Sequence, residues 1–253
     1  GYMNKDNHET IFERENDNYR NLAEYYDEYV GVSYYNHIKD KIRFLQKQLP
    51  NKSNHLDVGC GTGTILEFSH SLGWVLKGID ISSKMIEIAY KKLPKNITLC
   101  CSGLFDLVSD DKWNLVTANN DILNYLALDY KIEDVFYKIS KILVNKGLFY
   151  ADVVSEHDIL ENWEQSGHIH TDNKTFKCIV NYYLQDKSKV IGKVERSWYK
   201  KEKKLWKNVG VEIEILKGIK KDDILNAAKK NNLKPLLSKF PNGNIEILLQ
   251  KNN

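Results

Sequence analysis

The run His55-Leu56-Asp57-Val58-Gly59-Cys60-Gly61-Thr62-Gly63 constrains this chain more than any other stretch. Leu56 to Val58 reads as a short buried strand that carries one acid and ends at Gly59. Beyond Thr64, the spacing of Ile65, Leu66 and Phe68 predicts the helix that follows. A strand, a glycine turn and a helix open an α/β nucleotide site. The glycines allow a sharp turn and the close approach of a ligand. The helix N-terminus adds free N–H groups and a partial positive charge. The third glycine arrives one residue too early for the dinucleotide fingerprint G-x-G-x-x-G.

The second constraint is Trp74-Val75-Leu76-Lys77-Gly78-Ile79, which reads as the next strand and delivers Asp80 at its carboxyl end. A carboxylate there can accept both hydroxyls of a ribose. Together, D-V-G-C-G-T-G and the following G-I-D-I-S resemble the class I S-adenosylmethionine-dependent methyltransferases. That resemblance implies a Rossmann-like, doubly wound α/β fold: a seven-stranded sheet with helices on both faces, and here a small antiparallel β cap inserted after strand five. It implies S-adenosyl-L-methionine as cofactor and S-adenosyl-L-homocysteine as product. The implied cofactor site comprises Asp57, Gly59, Cys60, Gly61, Asp80, Ile81, Met85, Gly103, Leu104 and Asn120, with Tyr26 and Tyr34 as a lid.

Composition narrows the alternatives. The 253 residues suit one embellished α/β domain, and 42% hydrophobic content supports a sizeable core. A net charge of +3, from 37 basic and 34 acidic residues, gives no strong field for nucleic acid or membrane. Gly1 to Arg20 is polar, without an apolar run for a signal peptide or a span, and Gly1-Tyr2 ahead of Met3 reads as an expression remnant. The four cysteines show no metal spacing, and adjacent Cys100 and Cys101 point to opposite faces of a strand. They read as reduced thiols of a cytoplasmic protein with no metal.

Along the chain, residues 4–18 read as a frayed leader and residues 1–50 as an N-terminal helical lid. Tyr19, Tyr25, Tyr26, Tyr29, Tyr34 and Tyr35 either pack an amphipathic helix or close over a cofactor, their phenols toward a carboxylate and their rings toward a sulfonium. Ile38, Ile42, Leu45 and Leu49 predict a helix ending near Pro50. Ser82 caps a helix whose Met85, Ile88, Ala89 and Leu93 share a face; Met85 reads as core, and the resemblance also places it over adenine. Ile97 to Cys101 is the third strand. The family usually has a polar side chain where Gly103 stands, so the Leu104 N–H would read adenine; Asp106 either substitutes or is a surface turn residue.

Trp113 to Ala118 is the fourth strand, with Asn119-Asn120-Asp121 in the crevice where such sheets bind ligands. None of the four prolines is near, which argues against the Asn/Asp-Pro-Pro-aromatic motif of enzymes that methylate base amines in nucleic acids. The run Asn120 to Tyr125 instead resembles small-molecule enzymes with a D-S-L-N-Y-like turn. On that likeness Asn120 offers its carbonyl to the cofactor amine, and Asp121 or Tyr125 faces the acceptor; helix capping is the plain alternative.

A helical stripe through Ile132, Val135, Phe136, Ile139, Ile142 and Leu143 closes at Lys146-Gly147, and Leu148 to Val154 is strand five. Residues 51–154 and 218–253 would form the cofactor-binding core. Residues 155–217 would form the cap, with three strands near 176–184, 190–199 and 209–215, and Lys200 to Lys204 as a hairpin turn. Asp222 caps the next helix, and Leu233 to Phe240 and Ile245 to Gln250 form a closing hairpin through Pro241-Asn242-Gly243.

The reading is methyl transfer by in-line displacement to a small-molecule or peptide acceptor, most simply an amine nitrogen, by a monomer or homodimer without nucleic acid or membrane. The layout resembles bacterial amino-sugar N-methyltransferases. An RNA or protein methyltransferase and a cofactor-binding non-catalytic paralogue are the alternatives. Candidate bases are His157, His168, His170, Asp152 and Asp158, with His157 best placed after strand five and an idle loop position as its other reading; Tyr125 is the second catalytic candidate.

Overall fold

A computed structural model describes residues 25–27, 29–108, 110–163, 168–172 (backbone only), 174–240 and 243–253. Tyr19, the leader at 4–18 and the Pro241-Asn242 turn lie outside the described residues. The first half runs α1 (Val32–Gln46), β1 (Asn54–Val58), α2 (Thr64–His70), β2 (Val75–Asp80), α3 (Ser83–Lys92), β3 (Thr98–Cys101) and β4 (Trp113–Ala118). Then come α4 (Ile122–Leu126), α5 (Ile132–Ile142), β5 (Leu143–Val153), α6 (Glu156–Asn162) and the strands β6 (His168–Asp172), β7 (Phe176–Asp186), β8 (Ile191–Glu202) and β9 (Leu205–Lys217). The chain closes with α7 (Lys221–Lys230), β10 (Leu233–Lys239) and β11 (Ile245–Lys251).

Seven strands form one sheet in the order β10-β11-β5-β4-β1-β2-β3. Strands β3, β2, β1, β4 and β5 are parallel, while β11 runs antiparallel between β5 and β10. The chain steps outward from β1 to β3 and then returns to lay β4 on the other side of β1. That reversal opens a crevice at the carboxyl ends of β1 and β4. The fold class and the closing hairpin are those expected.

Side-chain alternation divides the core between the sheet's faces. Leu56, Val58, Val116, Phe149 and Ala151 are buried with α4, α5 and α7. On the other face Leu76, Leu115, Leu148 and Tyr150 are buried with α1, α2 and α3. The stripe on α5 buries Val135, Phe136, Ile139 and Ile142, the spacing of one helix face. Ser82 caps α3 through its hydroxyl, which accepts the Met85 N–H at 3.3 Å.

The second sheet differs from expectation. It has four antiparallel strands, in the order β6-β7-β8-β9, because the polar segment after strand five supplies both α6 and β6. The sequence of β6 carries no apolar alternation, and backbone pairing to β7 is what makes it a strand. Strand β8 continues to Glu202, so the hairpin turns at Lys203-Lys204, both at positive φ. Strand β5 begins at Leu143 rather than after Gly147, with an irregularity in its pairing to β4 that accommodates Lys146 at φ 64°. Lys220, not Asp222, occupies the N-cap of α7; Asp222 and Asp223 sit in its first turn, where the helix dipole favours them.

Where the chain leaves and re-enters the main sheet it is stapled. Ser155 and Ile219 form a parallel bridge. The Asn124 amide donates to Val154 O at 2.7 Å and to Lys217 O at 2.9 Å, and its oxygen accepts the Val154 N–H at 3.0 Å. One buried asparagine on α4 thus fixes both crossings between the sheets.

Candidate active site

The glycine loop takes the backbone where only glycine sits without strain: φ is 70°, 54° and 87° at Gly59, Gly61 and Gly63. Its first turn is tied to β2 by the Gly59 and Cys60 N–H groups, which donate to Ile79 O at 2.8 and 3.0 Å. Asp80 completes the clamp: Oδ2 accepts the Gly61 N–H at 2.9 Å and Oδ1 accepts the Ser82 N–H at 2.8 Å. Burial raises the Asp80 pKa, and the two N–H bonds oppose that shift. Each carboxylate oxygen keeps a second acceptor site. A methyl group at Gly61 would meet nothing within 4 Å, so the loop is open on that side.

The other expected cofactor residues gather around this loop. Asp57 is buried at the end of β1, and Thr117 donates to its Oδ1 at 2.6 Å. Cys60 is buried against α2 and α3, and Ile81 packs on the opposite core. Gly103 is buried and extended, and Leu104, also buried, begins a single 3-10 turn that holds Asp106. Met85 is buried against Tyr26 and Ile88.

Asp152, near the end of β5, organises the crevice. Its Oδ2 accepts the Asn120 N–H at 2.8 Å and the Tyr34 hydroxyl at 2.5 Å, and its Oδ1 accepts the Asp121 N–H at 2.8 Å. These bonds hold Asn120 and Asp121 at φ 68° and 67°, a conformation that costs a non-glycine residue about 1–2 kcal/mol. The Asn120 amide donates to the Tyr26 hydroxyl. Asp121 occupies the N-cap of α4 without a side-chain capping bond.

The tyrosine cluster divides. Tyr25 stacks on Phe176 at 4.2 Å and Tyr29 meets Trp198 edge-on at 5.2 Å, both on the four-stranded sheet. Tyr26 and Tyr34 reach Asn120 and Asp152, so the two lid candidates meet at one crevice. Tyr35 instead donates to Asp27 at 2.8 Å, and Asp27 also accepts the Thr62 and Thr64 hydroxyls beside the glycine loop.

Next to this crevice, between the two sheets, lies a cavity of about 530 Å³. Asn120, Asp121 and Asp152 line one side; Asp158, Trp163 and Arg196 line the other. Arg196 is buried, its guanidinium 2.8 Å from Glu214, 3.4 Å from Glu212 and 4.9 Å from the Tyr29 ring centre. Burial and the Glu214 carboxylate push Glu212 up. Burial works the same way on Glu214, but Arg196 and hydrogen bonds hold it below the usual carboxylate range. Arg196 therefore has its counter-charge already, and the remaining carboxylates make the cavity acidic. Burial and the neighbouring Asp152 carboxylate raise the pKa of Asp121 well above the ordinary range.

Two catalytic candidates sit elsewhere. His157 is exposed on α6, because the turn of that helix buries Ile159 and sends Asp158, not His157, to the cavity. The Tyr125 hydroxyl donates to Glu214, committing it to the four-stranded sheet. The side chains of His168 and His170 lie outside the described residues. Arg196 and Glu214 escaped the sequence reading, although a charged residue in phase with Gly192, Val194 and Trp198 on a period-two strand was the available signal. None of the four cysteines forms a disulfide. Among the described residues no His, Cys, Asp or Glu group could hold a metal, and no helix is long and apolar enough to cross a membrane.

Residues 56–147 match the family described as a methyltransferase domain. A Bacillus subtilis (strain 168) protein named as a methyltransferase, YqeM, is 27% identical over 151 residues, which are 58% of this chain. The chain spans 60% of the length of that relative. An S-adenosylmethionine-dependent methyltransferase from Clostridium acetobutylicum superposes with a TM-score of 0.76 at 20% identity, covering 93% of this chain and 99% of that one. CalS10, an amino pentose methyltransferase from Micromonospora echinaspora solved with S-adenosylmethionine bound, gives 0.70 at 16% identity, covering 88% and 94%. At such identities the likeness is one of fold. Over residues 56–147 the chain thus matches a methyltransferase domain, and its fold is the Rossmann-like one seen in S-adenosylmethionine-dependent methyltransferases.

Proposed function

We propose that the protein transfers the methyl group of S-adenosylmethionine to an amine nitrogen of a small acceptor. The observation that carries this reading is the acidic cavity bordered by Asn120 and Asp121, immediately beside the glycine-loop crevice. The residues suit the donor: an open approach at Gly61, a carboxylate at Asp80 with acceptor capacity for ribose hydroxyls, and a buried Asp57 Oδ2 without a protein hydrogen bond. Asp57, Gly59, Cys60 and Gly61 would hold its amino-acid end, Asp80 and Ile81 its ribose, and Met85, Gly103 and Leu104 its adenine. Tyr26, Tyr34 and Asn120 would close over it.

Bound S-adenosylmethionine supplies a methyl carbon whose bond to sulfur breaks, the electron pair passing to sulfur, as the bond to the acceptor nitrogen forms. The protein aligns the acceptor and excludes water. An alkylamine arrives as ammonium and must lose a proton before it can attack. Asp121 borders the cavity and, in its ionised form, would accept that proton. Asp158 and Asp152 favour a cationic acceptor in the same space. The four-stranded sheet closes the cavity's far side, a cap role for residues 155–217. The amino pentose acceptor named for CalS10 is in keeping with an amine.

The test is transfer of labelled methyl from S-adenosylmethionine into a bacterial extract separated into metabolite, peptide, protein and RNA fractions. Label on an amine in the metabolite or peptide fraction is the expected result. Label confined to RNA or intact protein would overturn the small-acceptor reading.

A further inference from the structure

Asp57 sits at the end of a chain of buried side chains that the reaction scheme above leaves unused. The Thr117 hydroxyl lies 2.6 Å from Asp57 Oδ1. His55 Nε2 is 2.7 Å from that hydroxyl, and His55 Nδ1 is 2.8 Å from Ser69 Oγ. The Gln46 amide nitrogen is 2.9 Å from Ser69 Oγ. All five residues are buried, with His55 0% exposed. Register explains the alignment: His55 and Asp57 share a face of β1, Asp57 pairs with Thr117 on β4, and α1 and α2 cover that face.

The chain has a direction. An ionised carboxylate only accepts, so Thr117 donates to Asp57. A hydroxyl has one proton, so His55 Nε2 must donate to Thr117, which fixes the Nε2–H tautomer. The bare Nδ1 then takes the Ser69 proton, and Ser69 accepts from Gln46. Burial lowers the His55 pKa to about 3, so the ring stays neutral and no cation interrupts the series. Packing alone does not require a two-bond histidine between a sheet and its helices. Asp57 Oδ2, in contrast, is buried with no hydrogen-bond partner, which is costly unless a ligand donor meets it.

We propose that His55 and Thr117 are positioning residues of the donor site: their relay fixes Asp57 Oδ1 and so presents Oδ2 to the α-ammonium of the bound donor. This rests on the donor reading above. Asp80, Cys60 and Tyr35 are the other titratable groups that interact with Asp57. Burial, and less strongly Asp80, push the Asp57 pKa up to about 7, while the Thr117 bond opposes them. Removing that bond raises the pKa further. The carboxylate is then lost near neutral pH and regained as pH rises.

The test is calorimetric affinity for S-adenosylhomocysteine, which carries the same ammonium, between pH 6 and 8.5. It compares wild type, Thr117→Val, Thr117→Ser, His55→Leu and His55→Gln, with each variant's Tm and the ¹⁵N resonances of the His55 ring in wild type. Thr117→Val and His55→Leu should bind about fivefold more weakly at pH 7 and about tenfold at pH 6, the effect of raising a pKa of about 7 by one unit, and recover toward pH 8.5. Thr117→Ser and His55→Gln should bind as wild type, and the ring should be protonated at Nε2. Near-isosteric Thr117→Val keeps the test decisive if His55→Leu does not fold. Equal loss at every pH, unchanged affinity throughout or a proton on Nδ1 would overturn the relay alone. A wild type that binds no S-adenosylhomocysteine would overturn the donor reading and the relay with it.

Discussion

The Asp152 carboxylate accepts the backbone N–H of Asp121 at 2.8 Å, and this bond, with its twin to Asn120, fixes the turn between the glycine-loop crevice and the neighbouring cavity. One side chain on β5 thereby decides where the turn after β4 points. Asp152→Asn keeps the size but turns one acceptor oxygen into an N–H that faces a backbone N–H. The variant should lose about 2 kcal/mol of stability in urea unfolding, in line with hydrogen bonds to a charged group. Its kcat/KM should fall about a hundredfold once an acceptor is in hand. An unchanged urea midpoint would mean that the turn holds itself.

Asp80 and the two tyrosines proposed as a lid, Tyr26 and Tyr34, should separate by magnitude. Asp80→Ala removes both the clamp on Gly61 and the acceptors proposed for ribose, so S-adenosylhomocysteine affinity should fall at least tenfold. Tyr26→Phe deletes one hydroxyl bonded to Asn120 and should cost less. Calorimetry on the three proteins checks the order. Unchanged affinity in Asp80→Ala would remove that residue from the site, and insensitivity of both Tyr26→Phe and Tyr34→Phe would end the lid proposal.

The contrast between what the sequence disclosed and what it hid has a physical basis. Strand, glycine loop and Asp80 were legible because each depends on local backbone chemistry: positive φ at Gly59, Gly61 and Gly63, and an acid at a strand end. The cluster of Arg196, Glu214 and Tyr125 was not legible, because it depends on antiparallel register between β8 and β9 and on the approach of α4. His157 lies next to the right strand, but helix phase, set by burial of Ile159, gave the cavity to Asp158. Strand β6 lacked a hydrophobic pattern and became a strand through pairing alone.

Arg196→Met should expose the cost of that hidden cluster. Truncating the guanidinium leaves Glu212 and Glu214 buried without a cation, and breaking such a pair costs about 3–5 kcal/mol. Both carboxyls would then stay buried only when protonated, with folded-state pKa values above those of the unfolded chain. Their contribution is retained below the unfolded carboxylate pKa and lost as pH rises through the raised values. The deficit against wild type should therefore shrink from pH 8 to pH 5, as measured by urea midpoints. A deficit independent of pH would show that Arg196 acts through packing on Tyr29 instead.

Gly59 and Gly61 offer the sharpest separation of folding from binding. Both have positive φ, so alanine at either position costs about 1–2 kcal/mol of backbone strain. At Gly59 the new methyl would lie 2.1 Å from Ile122 Cδ1, so Ile122 must also move and stability should fall further. At Gly61 the methyl meets nothing within 4 Å, so the strain is the whole folding cost. That open space is where the donor is proposed to approach the backbone. Gly61→Ala should therefore remain the more stable variant yet lose S-adenosylhomocysteine affinity at least as strongly as Gly59→Ala. Thermal unfolding and calorimetry on both variants read the two effects separately. Full affinity in Gly61→Ala would place the donor away from that face of the loop.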